Sequence, residues 1–514
     1  MRVFLFLQII IFLNTNAIAQ NTFNESFFIN NSILRFSNIM HLNEDTLMLY
    51  GFTYDNSNPP LQSILMARID TSGNVINYNI TSDSSGYEYF LEPGSGLIEL
   101  DNGQICGVAK PVHDTKIAFL LFDRNGKLET RKIYDDTTVL FATPRKVIEL
   151  EDGFLIAGYK QRQNFYQDIF IMKIDKQGNV VWEKSYGGLN TNDRAGSFVK
   201  IDENTFVFGA VVSSSYSLPM AQTWSRSRVF AIDSTGNIKW DWMSGVNEEI
   251  GIVGLNPSSD GGWVYCSGTR TINEEWDWFN VYPKIIKRDG EMNKIWESSV
   301  NVGTVPLNSF TDLKPAPDGH WIGAGYWALP FDNIDDGRLG GGLYNVTPDG
   351  QLCWTRNDSS EWSITGRSRD HFAGLAVLPS GSIIAAGWSE KYEPNPDQTF
   401  GWVVKVDKNG GMDTLLCGIT SVKDLHRETH KMEVFPNPAS DQVTFKLHKQ
   451  LEMEGYTLLQ VSNMAGEILI THQFLPNAEP SFDFNTSKLP AGVYPFRVIS
   501  KNGTFQAGKI LVLH

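Results

Sequence analysis

The sequence predicts an all-β protein: a seven-bladed β-propeller followed by a small C-terminal β-sandwich. Three observations carry that expectation. A short strand, a turn glycine and a second strand recur seven times along the chain. A hydrophobic run ending in glycine recurs beside them with the same period. Helical periodicity is absent, while Gly (45), Phe (31), Tyr (17) and Trp (14) are abundant, a bias toward strands and tight turns.

The N-terminus, "MRVFLFLQIIIFLNTNAIAQ", pairs Arg2 with an apolar stretch from Val3 to Leu13. Ala17 and Ala19 then supply the small residues of a cleavage site, with Gln20 as the expected mature start. This pattern reads as a secretory signal peptide over residues 1–19. The apolar stretch is shorter than the roughly 20 residues a membrane-spanning helix needs. No later segment is long and apolar enough to span a bilayer.

Composition narrows the function classes. The 514 residues are 41% hydrophobic and 20% charged, with net charge −15. Such a chain is globular and a poor partner for nucleic acid, since no basic run tracks a phosphate backbone. Four cysteines, Cys106, Cys266, Cys353 and Cys417, lack metal-ligand spacing. They read as small core residues first and as a bridge second.

Residues 20–417 contain the repeat. Hydrophobic strands end at Gly51, Gly107, Gly158, Gly209, Gly268, Gly325 and Gly387. Turn glycines follow at Gly73, Gly126, Gly178, Gly236, Gly290, Gly350 and Gly410, spaced by 53, 52, 58, 54, 60 and 60 residues. A near-constant period this long predicts a propeller or an array. The third unit shows the four expected strands: "RKVIEL", "GFLIAGYK", "DIFIMKID" and "NVVWEKSYG". In its third–fourth turn, Asp175 is expected to bond backbone amides and Gly178 to take positive φ. Trp182, Trp240, Trp296 and Trp354 recur in step and are expected to pack between blades. Two units depart from the pattern, with Lys287 and Thr347 where Asp usually stands. The N-terminal "ESFFINN" (25–31) resembles a fourth strand and is expected to pair with the last blade, beside "GMDTLLCG".

Turns on one face of such a ring are short and uniform. Those on the other are long and irregular, as in "VVSSSYSLPMAQTWSRSR", "TRTINEEWDWFNVYP", "YWALPFDNIDDGRLGG" and "WSEKYEPNPDQTF". Irregular loops on a regular scaffold are where binding concentrates. Trp224, Trp276, Trp278, Trp327 and Trp388 therefore form the candidate ligand face, among carboxylates such as Glu274, Asp277, Asp332 and Glu390. A glycan or a protein would suit such a surface, and packing of the loops is the competing role for the rings. Asp193-Arg194 and Arg369-Asp370-His371 lie in the inter-blade links, where loop-fastening pairs are expected. No catalytic residue can be assigned: GxSxG, HExxH and P-loop patterns are absent. No cofactor or metal is expected either.

A polar stretch, residues 418–431, reads as a linker, and residues 432–514 as a separate β-module with period-2 patterning. Its motifs are Pro436-Asn437-Pro438, Ala465-Gly466, Leu489-Pro490-Ala491-Gly492-Val493-Tyr494 and Lys509-Ile510-Leu511-Val512. Pro495 is expected to interrupt the strand after Tyr494. On these motifs the segment resembles the type A C-terminal sorting domain of the type IX secretion system of Bacteroidetes-type bacteria. The resemblance implies passage through the periplasm and the outer membrane, with the secretion machinery and a sortase-like peptidase as partners. It implies a secreted or surface-attached product, cut within residues 418–434. The first functional reading is an exported binding module. An extracellular glycan- or peptide-degrading enzyme and a structural surface-layer component are the alternatives.

Overall fold

Strands such as Thr46–Tyr54 and Gln62–Asp70 bury residues on both faces, so each needs a neighbouring sheet on either side. That requirement sets the architecture. The computed structural model describes residues 22–28, 33–43, 45–54, 62–82, 89–91, 96–111, 115–214, 222–273, 278–300, 309–328, 339–360, 368–391, 398–410, 433–446, 457–463, 468–474, 481–500 and 505–513. No α-helix occurs among them. The chain divides into two units, Met1–Cys417 and Gly418–His514. The signal peptide and the linker expected from the sequence lie outside the described residues.

In the first unit, antiparallel pairing groups the strands in fours. The first set is Leu34–Asn43, Thr46–Tyr54, Gln62–Asp70 and Val75–Thr81, side by side in chain order. Five further sets fall within 89–135, 141–186, 192–243, 253–299 and 309–358. In the set at 89–135 the innermost strand is split into Tyr89–Phe90 and Ile98–Glu99. The seventh set consists of Ser368–Val377, Ile383–Lys391 and Gln398–Val406, with the N-terminal strand Phe23–Phe27 as its outer member. Glu25 stands opposite Val403 in that antiparallel pair. The N-terminus thus occupies the fourth place directly, slightly earlier in sequence than expected. Residues 29–31 and "GMDTLLCG" lie outside the described residues.

Seven hydrophobic clusters join these sets in a circuit. Met48 and Ile64 meet Ile105 and Leu120, Cys106 and Phe119 meet Phe154 and Phe170, and Leu155 and Ile169 meet Phe206 and Phe230. Val229 then meets Tyr265, Ile285 meets Leu313 and Tyr344, and Ile322 meets Phe372 and Trp402. Finally Ile384 and Val403 meet Leu49 and Leu65, which returns to the first set. Because successive strand residues point to opposite faces, Met48 serves one neighbour and Leu49 the other. The ring closes through packing and through the N-terminal strand.

Five of the innermost strands carry a bulge at the same level, among them Phe36/Asn38, Pro144/Lys146, Phe310/Asp312 and Phe372/Gly374. The glycine ending the neighbouring hydrophobic run lies across from it. A Cβ on Gly387 would stand 1.8 Å from His371 O, and one on Gly51 would stand 1.9 Å from Arg35 O. The kinked backbone therefore requires glycine there.

The third–fourth turns follow the expected chemistry. Asp175 Oδ1 accepts the backbone N–H of Gln177 (2.9 Å) and of Asn179 (2.7 Å), and Gly178 has φ 74°. Thr347 keeps the same turn with its hydroxyl, which accepts the Gln351 N–H at 2.9 Å. The fifth unit corrects the reading of its register. Asp289 is its turn residue, accepting from Glu291 and Asn293 N–H at 2.9 and 2.8 Å, and Met292 takes the left-handed place at φ 67°. Burial of the Met292 side chain among Val207, Val229 and Tyr265 offsets that unfavourable backbone. Lys287, expected at the turn, instead reaches Asp260 at 2.6 Å.

The periodic tryptophans sit between blades. Trp182 Nε1 donates to Ser234 O at 3.2 Å and Trp296 Nε1 to Pro348 O at 3.1 Å, each capping the next unit's turn. Trp354 is buried between the sixth and seventh sets. Cys106 and Cys266 are buried free thiols, and Cys353 is disulfide-bonded to a partner outside the described residues.

The second unit has two sheets. One contains Glu433–Phe435, Gln442–Lys446 and Ser481–Asn485; the other contains Ile468–Phe474, Thr457–Ser462, Gly492–Ser500 and Phe505–Val512. Val443 and Phe445 from the first pack against Leu459, Val461, Phe496 and Ile510 from the second, which makes a sandwich. Pro495 does not interrupt its strand. It pairs with Lys509 on one side, while pairing with Thr457–Ser462 on the other begins only at Phe496. A proline is tolerated where no partner strand asks for its N–H.

Candidate functional site

Each innermost strand starts where the inter-blade link arrives, so its first residues lie on the long-loop face. Asp193 and Asp370 occupy this level in the fourth and seventh sets. Asp193 accepts from Thr191 Oγ1 at 2.5 Å and from Gly188 N at 3.2 Å. Asp370 accepts from Ser360 N at 3.0 Å and from the hydroxyls of Ser360, Ser368 and Ser389. Both are buried, at 1% and 0% exposure, and burial raises both pKa values. They fasten the links through hydrogen bonds, to which Asp193 adds an ion pair with Arg228 at 3.9 Å.

Between the third and fourth sets, the long-loop face opens into a cavity of about 540 Å³. Trp224, Arg226 and Arg228 line it at alternate positions, opposite Tyr186, Gly188 and Thr191. The Arg226 guanidinium lies 5.2 Å from the Trp224 ring centre, and its Nε is buried without a hydrogen-bond partner among the described residues. Arg228 is held by Asp241 at 3.0 and 2.7 Å. Nearby, burial raises the pKa of Asp168, against the pull of Arg162 at 3.1 Å and with a further push from Asp193. An aromatic ring beside an unmet guanidinium donor can receive a polar ligand.

Trp388 sits elsewhere, at the seam of the seventh and first sets. Its ring stacks on His371 at 4.8 Å and lies 5.5 Å from the Arg35 guanidinium, which Glu390 holds at 2.7 Å. Burial pushes the His371 imidazole down to about 3, with Arg35 and Arg369 adding to the effect. It is neutral near pH 7 and serves as a packing ring. Trp278 stands opposite Asn273 and Trp327 opposite Gly340, both beside second–third connections. Trp276, Glu274, Asp277 and Asp332 lie outside the described residues. Trp224 and Trp388 thus belong to different places on the same face.

A further chamber of about 490 Å³ lies on the axis, below the bulges, and is lined by Asn38, His41, Lys146, Asp312 and Lys314 among others. Sequence reading passed over these residues. Their signal was faint: single charges such as Lys146 in "RKVIEL", one position past the future bulge. Among the described residues, no three His, Cys, Asp or Glu side chains come together as a metal set. No helix there is long and apolar enough to cross a membrane.

The motifs of the second unit meet at one edge. Asn437 Nδ2 donates to Lys509 O at 2.9 Å, and Asn437 Oδ1 accepts from Leu511 N at 2.9 Å. Ala439 N donates to Leu511 O at 2.8 Å and Leu513 N to Ala439 O at 2.9 Å. Pro436 and Pro438 have no N–H, so the amide of Asn437 does the pairing that a backbone would. Gly492 opens the strand Gly492–Ser500, and Tyr494 Oη donates to Pro490 O at 2.7 Å, closing the turn before it. Gly466 lies outside the described residues.

Residues 433–513 match the family described as secretion system C-terminal sorting domain. No curated protein matches the chain. Among solved structures, the chain is similar to a GH43 β-1,3-galactosidase with galactodeoxynojirimycin, at 8% identity and TM-score 0.30, covering 51% of this chain and 92% of the other. It is also similar to an ACO/RPE65 chimera, at 7% identity and TM-score 0.38, covering 89% and 95%. At these values neither likeness bears on what this chain binds or does. The tail match identifies residues 433–513 as a type IX secretion system C-terminal sorting domain, and the protein is exported to the cell surface or secreted.

Proposed function

We propose that the mature protein is an exported binding module, which begins at Gln20 and loses its tail by a cut within residues 418–434. The observation that carries the binding role is the cavity formed by Trp224, Arg226 and Arg228. It offers a ring and an unmet donor, while Asp193 beside it is spent on holding the link. A polar ligand such as a glycan or a peptide suits that combination. The test is binding of the exported chain to a glycan array and a peptide library, repeated with Trp224→Ala. Binding without turnover, lost in the variant, supports the reading; binding that survives Trp224→Ala removes this cavity as its site.

A second reading, an enzyme acting on glycans or peptides, has one observation behind it. Burial raises the pKa of both Asp168 and Asp193, next to the cavity, as in carboxylate pairs that share acid–base work. Against it, Asp193 is 1% exposed and hydrogen-bonded within its own link. Product formation by the wild-type chain, abolished in Asp168→Asn, would favour the enzyme.

A further inference from the structure

The axial chamber holds an imbalance of charge. Lys146, from Phe141–Leu150, and Lys314, from Ser309–Pro315, line it together with Asp312 as their carboxylate. Asp312 is already engaged: Oδ1 accepts from Leu313 N at 2.9 Å and Oδ2 from Leu375 N at 3.3 Å, and Lys314 Nζ lies 3.5 Å from Oδ1. Among the described residues, Lys146 has one hydrogen bond, a long contact of 3.4 Å to Ser197 Oγ. His41 Nε2 is buried and has no hydrogen-bond partner among the described residues.

We propose that this chamber binds a small oxyanion, a carboxylate, sulfate or phosphate group, between Lys146 and Lys314. A largely enclosed ammonium that shares one carboxylate with a second lysine is costly, and an unmet buried polar atom in a native fold points to an ion or water that satisfies it. Shedding the proton is not the way out at neutral pH. Burial, then Lys314, draws Lys146 down only to about 8, against the opposing pull of Asp312. A bound oxyanion would give both lysines a charge-assisted partner. Seated among strands from several blades, it would also tie the ring together at its axis. The site is separate from the loop-face cavity and does not depend on it.

The test is calorimetric titration of the exported chain with sodium sulfate, phosphate and acetate, against sodium chloride at matched ionic strength. Melting temperature is followed in parallel. The expected result is saturable binding of at least one oxyanion with a rise in melting temperature. Affinity should fall about tenfold or more in Lys146→Met and in Lys314→Gln, the loss of one charge-assisted bond. Lys146→Arg should retain binding, and Trp224→Ala should leave it unchanged. Should Lys146→Met fail to fold, Lys314→Gln and Lys146→Arg decide. No binding beyond chloride, or equal binding in wild type and Lys314→Gln, would overturn the proposal. Which anion binds tightest identifies the ligand group.

Discussion

Gly387 faces the carbonyl of His371 so closely that a methyl group would stand 1.8 Å from the oxygen. The strand must move or the bulge must flatten, and either disturbs the seam between the last and first blades. Gly387→Ala should therefore destabilise the protein by about 3 kcal/mol, as overpacking does. Gly96→Ala, which meets only the Lys146 side chain at 3.6 Å, should change stability by less than about 0.5 kcal/mol. Chemical denaturation of the two variants checks the contrast. The turn aspartates make a pH prediction. The Asn237 backbone N–H, then the Thr235 hydroxyl, hold Asp233 down to about 2, below the usual carboxylate range. Its stabilising contribution is complete above the unfolded value, about 4, and is lost as pH falls through about 2. Asp233→Ala should lower the melting temperature at pH 7, and the gap from wild type should close toward pH 2. A gap that persists at pH 2 would show that the carboxylate charge is not the cause. Turn residues such as Asp175 and Gly178 were legible in the sequence because their chemistry is local. Strand-ending glycines such as Gly51 and Gly387 were visible without a reason, since the oxygen that excludes a side chain comes from another strand. Lys146 and Lys314 were not legible, because their meeting depends on how distant blades converge.

The N-terminal strand Phe23–Phe27 closes the ring with few residues and specific contacts. Trp402 Nε1 donates to Asn24 Oδ1 at 2.6 Å, and Asn24 Nδ2 donates to Ser359 O at 3.0 Å. Phe27 meets Phe36 edge-on at 5.7 Å, across to the first blade. Asn24→Ala leaves the indole N–H unpaired and should cost about 2 kcal/mol; deletion of residues 21–31 should lower the melting temperature further. An unchanged melting temperature in the deletion would refute the clasp. In the tail, Asn437 joins the first sheet's end to the last strand through two hydrogen bonds. Asn437→Ala should destabilise the sorting domain by about 2 kcal/mol. The expected consequence is accumulation in the periplasm, read by cell fractionation and immunoblot. At this scale, strand identity was legible from apolar runs and turns. Register was less so: "KRDGEMN" offered Gly290 as the obvious turn glycine, yet burial of Met292 selected a register two residues later. Pro495 misled for a similar reason, because only its neighbours decide whether its missing N–H matters.

At the level of the molecule, two demands shape the chain: a ring in which every sheet has two neighbours, and a tail that carries it out of the cell. Repetition made the ring legible, since seven similar units must each bury both faces. The ordered motifs at the end made the export route legible. The candidate ligand face was legible only as a face. Trp224 lines a cavity and Trp388 packs a seam, a division that periodicity could not distinguish. Closure by the N-terminal strand is the claim on which the ring rests, and amide hydrogen exchange tests it directly. In the exported chain, Phe23–Phe27 and Gln398–Val406 should be protected together and should exchange only with global opening. Free exchange at Phe23–Phe27, while Gln398–Val406 stays protected, would contradict a ring closed by its own N-terminus.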